Sequence, residues 1–200
     1  MTEANFMFEN RPNDIPSTEL DMEGTVPSVL SGRFLANGPG RMQINGQKLH
    51  VFDAYGRILS AQLKDGRITL VGKHVQTPLL EEELDKHAVV KRRLFANKPS
   101  RWSNLFDLDL GNGCMHNVYP FAGRVVAAQD PGHFVLDPET LDVTGRLGCS
   151  GLMRKGMSAT PMPRVDPASN RLVLWLQKPG PIHTPHREVD QWSEDRHRVR

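Results

Sequence analysis

Cysteine is nearly absent from this chain: Cys114 and Cys149 are the only two among 200 residues. Two cysteines exclude a disulfide-built scaffold, leave a single bond between them open, and suit a reducing compartment. Charge of one sign is lacking too. With a net charge of +2 and basic residues grouped only at 91–93 and 196–200, the chain offers no phosphate-tracking surface, which argues against nucleic acid as a partner. No apolar run approaches the roughly 20 residues that cross a bilayer. Residues 1–16 hold acids, Asn and Pro where a secretory signal needs a basic start and an apolar core. These absences predict a cytoplasmic protein whose membrane contact, if any, is peripheral.

Catalytic signatures are equally sparse. There is no Gly-x-Ser-x-Gly elbow, no phosphate loop and no glycine fingerprint opening a helix. Neither cysteine has the basic neighbourhood that favours a thiolate. The histidines form no metalloprotease helix pair and have no carboxylate at ligand spacing. His50 and His116 read as structural residues, and His183 and His186, around Thr184 and Pro185 in a polar loop, read as chance spacing. Gly38, Gly40, Asn112 and Gly113 read as turn punctuation.

What is present is turn chemistry separating short apolar segments. The length and a 38% hydrophobic content are ample for a sizeable core in one or two domains. Asn37, Gly38, Pro39 and Gly40 form one turn, and Lys64, Asp65, Gly66 and Arg67 another. Asp-Gly between alternating segments is a hairpin signal, because a primed turn needs positive φ. Ile58, Ser60 and Gln62 alternate with Leu59, Ala61 and Leu63, then Ile68 and Leu70 follow across the turn, as in a ribbon with one buried face. Further strands are expected at 118–120, 124–129, 134–136 and 171–176, and Glu188, Val189 and Asp190 suit another. Asp137-Pro138 and Asp166-Pro167 echo each other after apolar strand residues, as radial repeats or a β-sandwich would show.

Two segments differ. Residues 1–22, rich in Asn, Pro and acids, read as an extended, partly ordered arm. Between 78 and 95 the period becomes helical: Leu80, Leu84 and Ala88 share a face, three glutamates open the segment, and Lys91, Arg92 and Arg93 close it as the helix dipole prefers. This predicts a helical insertion over 79–94 whose charges form a solvated face.

The same residues carry a resemblance. Gly32, Phe34, Asn37 to Arg41, His50, Phe52, Asp53, Gly56, the 64–67 turn and the strand end at Val75 to Thr77 resemble the amino-terminal signature of the carotenoid cleavage oxygenases. A second block from Gly123 to Gly145, with its glycine turn, Asp-Pro turn and closing glycine, is similar as well. The resemblance implies a mainly β fold in which residues 23–200 build part of a seven-bladed propeller, about three to four blades at 40 to 50 residues each, with the helical insertion. It also implies a ferrous ion, Fe(2+), held on the propeller axis by four histidines, with O2 and an apolar polyene or related alkene as substrates.

The ligand residues do not transfer. The family's first iron ligand is a histidine between Ala and Pro ahead of a Val-Asp-Pro turn, whereas this chain has Thr160 there and two extra residues before Val165. A hydroxyl is a poor substitute for imidazole on iron. The other three ligands lie downstream of the part covered, so the chain on its own is not expected to retain the metal. Asp130 reads first as a turn residue, and alternatively as the candidate for the family's glutamate that orients a ligand histidine. The chain therefore reads as the amino-terminal part, a fragment or truncated product, of an Fe(II) dioxygenase that cleaves an alkene double bond. The alternative is a non-catalytic propeller fragment that binds a hydrophobic ligand or partner chain, or itself, through an open sheet edge.

Overall fold

The structure, a computed structural model, describes residues 9–95, 111–129, 132–148, 158–166, 168–169, 171–177, 189–190 and 198–199. It opens with a four-stranded antiparallel sheet built from β1 (Ile15–Glu19), β2 (Gly32–Arg41), β5 (Tyr55–Lys64) and β6 (Arg67–His74), in the order β1-β6-β5-β2. A small hairpin of β3 (Gln43–Ile44) and β4 (Gln47–Lys48) projects between β2 and β5. Asp65 and Gly66 carry φ of 50° and 74°, the double positive of a primed turn, and Lys64 pairs with Arg67 across it. The 1–22 arm ends in β1, which pairs with β6 and so belongs to the first sheet.

The second sheet has the order β10-β9-β8-β7, from β7 (Asn117–Phe121), β8 (Arg124–Gln129), β9 (Gly132–Leu136) and β10 (Val143–Arg146). Ala122 and Gly123, with φ of 50° and 72°, repeat the primed turn between β7 and β8. The Asp137 carboxylate accepts from the amides of Glu139 (2.9 Å) and Thr140 (2.8 Å), capping the β9–β10 turn as an Asp-Pro sequence should. Those amides hold its pKa below the usual carboxylate value.

A third unit is a ribbon in two segments. β11 (Ser158–Ala159) pairs with β14 (Leu176–Gln177), and β12 (Arg164–Asp166) with β13 (Arg171–Val173). A further short pair joins β15 (Val189–Asp190) to β16 (Arg198–Val199).

The sheets stack face to face. Ile58, Leu35, Val71 and Val75 of the first meet Val125, Ala127, Phe134 and Leu136 of the second. The opposite face of the second sheet, with Tyr119, Val126 and Val135, packs on Ala159, Leu172, Leu174 and Leu176 of the ribbon. Each fully buried Val, Leu, Ile or Phe among them contributes about 1.5–3 kcal/mol, Leu35 and Val71 being only partly buried. Polar ties run along the first joint: Arg33 donates to the Pro138 carbonyl and to Glu139 (3.1 Å), and Lys73 pairs with Asp142 at 2.5 Å.

The helical insertion is shorter than the periodicity predicts. α1 covers Pro78–Asp85 only, with Thr77 as N-cap accepting from the Leu80 amide at 3.1 Å and Pro78 in the first turn. His87 turns left-handed (φ 50°) and stops it. Lys91, Arg92 and Arg93 therefore lie beyond the helix, because the chain wraps back around Glu83. The Glu83 carboxylate accepts from the amides of Val90 (3.0 Å) and Lys91 (3.4 Å), from Tyr55 Oη (2.7 Å) and from Arg93 Nη2 (2.6 Å).

The solvated-face reading fails at these two charges, since the side chains of Glu83 and Arg93 are both fully buried. Arg93 also donates to the Asp53 carbonyl (2.9 Å) and lies over the Tyr55 ring. Buried Asp53 in turn accepts from the amides of Leu94 and Phe95. Burial ahead of every other cause raises the Tyr55 pKa well above its ordinary value.

Candidate functional site

The corner where the edge strands β2 and β7 and the ribbon meet carries Thr160, the position that the resemblance compares with a metal ligand. Side-chain amides fasten it. Asn37 Nδ2, on β2, donates to the carbonyls of Cys114 (2.8 Å) and Asn117 (2.9 Å), and Asn117 Nδ2 donates to the Pro161 carbonyl (3.1 Å). Each amide joins one unit to the next. The approach is close enough to demand glycine: the Gly56 amide donates to the Gly113 carbonyl at 2.6 Å. A Cβ on Gly56 would strike the Cys114 carbonyl and one on Gly113 the Ala54 carbonyl, both closer than real carbons come.

Thr160 sits directly after β11 at this corner. The register passes from Ala159 opposite Leu176 to Arg164 opposite Val173, so four residues, 160–163, face only Leu174 and Trp175. The two residues in excess are housed as a bulge. The Thr160 amide closes its base on the Trp175 carbonyl at 2.9 Å, and its Oγ1 faces the Met162 amide at 3.5 Å. The hydroxyl is thus turned into the bulge as a local acceptor. In donor chemistry and in this placement, Thr160 does not fit a role as iron ligand, and among the described residues no group of three or more His, Cys, Asp or Glu is arranged to hold a metal.

Beneath the corner lies a residue that the sequence reading did not single out. Asn117, Ala128 and His133 are opposite one another across β7, β8 and β9, so all three face the ribbon. His133 is 2% exposed. Its Nδ1 meets Tyr119 Oη at 3.0 Å, while backbone groups of Ala159 and Thr160 lie beside the ring and Nε2 has no partner in hydrogen-bond geometry. Burial outweighs those backbone groups and pushes its pKa down to about 4, so at neutral pH it is an uncharged wedge.

The other candidates divide clearly. Asp130 lies outside the described residues, as do Cys149, His183 and His186. Gln129, its neighbour, is buried and accepts from the Met115 amide at 2.9 Å. His116 is exposed, next to Asn117, with its amide on the Ala128 carbonyl. His50 caps a single helical turn at Val51–Asp53, accepting from the Phe52 amide, and stacks on Phe52 and Phe95. Cys114 is a buried free thiol whose pKa burial drives up, so it is no nucleophile. His133 and Asn117 carry no motif, and Asn37 to Gly40, which the sequence reads as a turn, run inside β2 paired with β5 because the ladder to β5 continues through them; alternation puts Asn117 and Tyr119 on one side of β7.

The profile of the family described as RPE65, retinal pigment epithelial membrane protein, matches residues 8–198. The apocarotenoid-15,15'-oxygenase of Synechocystis is 30% identical over 167 residues, which are 81% of this chain and 34% of that protein. The isoeugenol monooxygenase of Pseudomonas putida is 28% identical over 78% of this chain and 32% of its own length. A solved variant of the Synechocystis apocarotenoid oxygenase superposes with a TM-score of 0.74 at 26% identity, over 86% of this chain and 38% of that one. The chain thus spans about a third of the length of these curated relatives.

Proposed function

The chain belongs to the RPE65 family of carotenoid cleavage oxygenases and forms part of their β-propeller, and on that premise we propose that it supplies the opening blades of an Fe(II) dioxygenase that cleaves a polyene or related alkene with O2. The observation that carries this reading is the fastened corner. Asn37 and Asn117 tie successive units through their edge strands, and the family match covers residues 8–198. Iron bound in the complete propeller would supply the redox chemistry of O2; this chain's contribution is scaffold, a dry interface and the wall beside Thr160.

A second reading, a non-catalytic propeller piece that takes an apolar ligand or a partner chain, is favoured by Thr160 alone, since a missing downstream portion does not explain a missing imidazole inside the covered region. We place the protein in the cytoplasm. Among the described residues no helix is long and apolar enough to cross a membrane, and the exposed Phe52, Leu94 and Phe95 beside Lys91 and Arg92 suit peripheral contact with an apolar surface.

Iron content decides how much this chain does itself. Loaded anaerobically with Fe(II) and desalted, the 200-residue chain is expected to keep far less than one iron per chain and to leave an apocarotenal uncleaved. One tightly held iron with turnover would overturn the scaffold role. Cleavage by a longer polypeptide that contains this segment would support the first reading, and its absence there the second.

A further inference from the structure

A strap crosses one end of the first sheet. Asn10 Oδ1 accepts from the Met42 amide (2.8 Å), the Arg11 amide donates to the Gly40 carbonyl (2.8 Å), and Arg41 Nη2 donates to the Pro12 carbonyl (2.7 Å). The chain then reaches β6, where Ile15–Glu19 pair as β1 and the Leu20 amide donates to the Ile68 carbonyl (2.9 Å). Residues 10–20 therefore join one edge of the sheet to the other.

His74, the last residue of β6, sits under the crossing, 3% exposed. Its Nε2 lies 2.9 Å from the Arg11 carbonyl and its Nδ1 2.6 Å from Asp14 Oδ1, and that same oxygen accepts from the His74 amide at 2.9 Å. A carbonyl can only accept, and so can Asp14 in its ordinary ionised form. Both ring nitrogens are thus placed as donors, which only the imidazolium provides. The fit is built in: a Cβ on Gly40 would come within 2.8 Å of His74 Nε2.

We propose that His74 and Asp14 form a pH-gated clasp that holds the amino-terminal strap and strand β1 on the first sheet, and that losing the ring proton frees them. The charged groups around the ring come from two elements, the strap and β5. Asp14, on the strap, favours the imidazolium. Arg11, also on the strap, and Arg57, opposite His74 on β5, oppose it. Arg57 is itself held below its ordinary pKa by burial first and by Arg11 next, with Asp14 pulling the other way. One anion thus balances two cations beside a third, protonatable one, which makes the closed state dependent on the charge of His74. The sign follows: a neutral ring keeps one N–H, so either the Arg11 carbonyl or the Asp14 carboxylate loses its donor. The clasp is closed at lower pH and opens as pH rises. Opening bares the β6 edge for pairing with another strand.

The test is an NMR titration of the full chain from about pH 5 to about 9, which brackets ordinary histidine behaviour. It follows the His74 ring resonances and the exchange of amides 11–20, corrected for intrinsic rates. Protection of these amides is expected to fall at least about tenfold in step with the ring, while amides of β8 stay unchanged. Asp14→Asn keeps an acceptor oxygen but removes the charge, so its midpoint is expected at lower pH. Strap protection that stays level through the His74 titration overturns the proposal, as does an unshifted midpoint in D14N. If D14N fails to fold, the wild-type titration decides alone.

Discussion

At the scale of single residues, His133 turns packing into a pH dependence. Its folded pKa, lowered by burial to about 4 from 6.5, means that the unfolded chain takes up a proton first. The neutral wedge is fully effective above about pH 6.5 and is lost as pH falls toward 4, for a swing of up to about 3 kcal/mol. Urea unfolding of His133→Phe is expected to lack this acid limb; an unchanged pH profile would show that another group sets it. Thr160 shows what could be read at this scale in advance. The missing imidazole and the two excess residues are visible in the string of letters, but the bulge that absorbs them appears only once the register of β11–β14 is known. Asp130 lies outside the described residues, and beside it Gln129 accepts from the Met115 amide. Gly113, which reads as punctuation, is in fact a crossing point, because nothing in local sequence reveals that residue 56 passes against it.

Individual elements were legible where local chemistry decides them. The Asp65-Gly66 hairpin, the Asp137 turn and the start of α1 follow from turn and capping preferences. The end of α1 does not, because a tertiary partner fixes it: Arg93 folds back onto Glu83 instead of extending the helix. That knot also sets an expectation. Arg93→Met leaves Glu83 a buried carboxylate with its cation gone, which should cost about 3–5 kcal/mol. The double variant Glu83→Gln with Arg93→Met should recover part of that loss, since no charge is then stranded. Guanidinium titrations of both check it; equal losses would mean that the ion pair is incidental to the wrap. The solvated-face expectation failed here because charge is normally kept in water unless paired, and pairing over ten residues leaves no periodic trace.

At the scale of the whole molecule, apolar side chains of the described residues are exposed on two faces. Strand alternation puts Phe34, Ala61 and Leu70 on the face of the first sheet opposite the second sheet, and Phe34 is 69% exposed. On the other, Met162 and Trp175 of the ribbon are 67% and 58% exposed. Apolar surface of this kind favours association. Sedimentation velocity is expected to show weight-average mass rising with concentration, and Phe34→Ser with Trp175→Ser to lower it; a concentration-independent monomer would remove the open-edge reading. The stacking itself was foreseeable only through resemblance, because alternation alone suits a sandwich as well as a wheel of blades.

The strap adds a matter of timing. Translation delivers Ile15–Glu19 long before β6, yet β6 is the strand they pair with. The earlier-made strand must therefore wait for its partner while the ribosome extends the chain, and it docks only when His74 has emerged beneath it. The first blade is sealed by its oldest residues, so truncating them should leave that blade formed but unlatched.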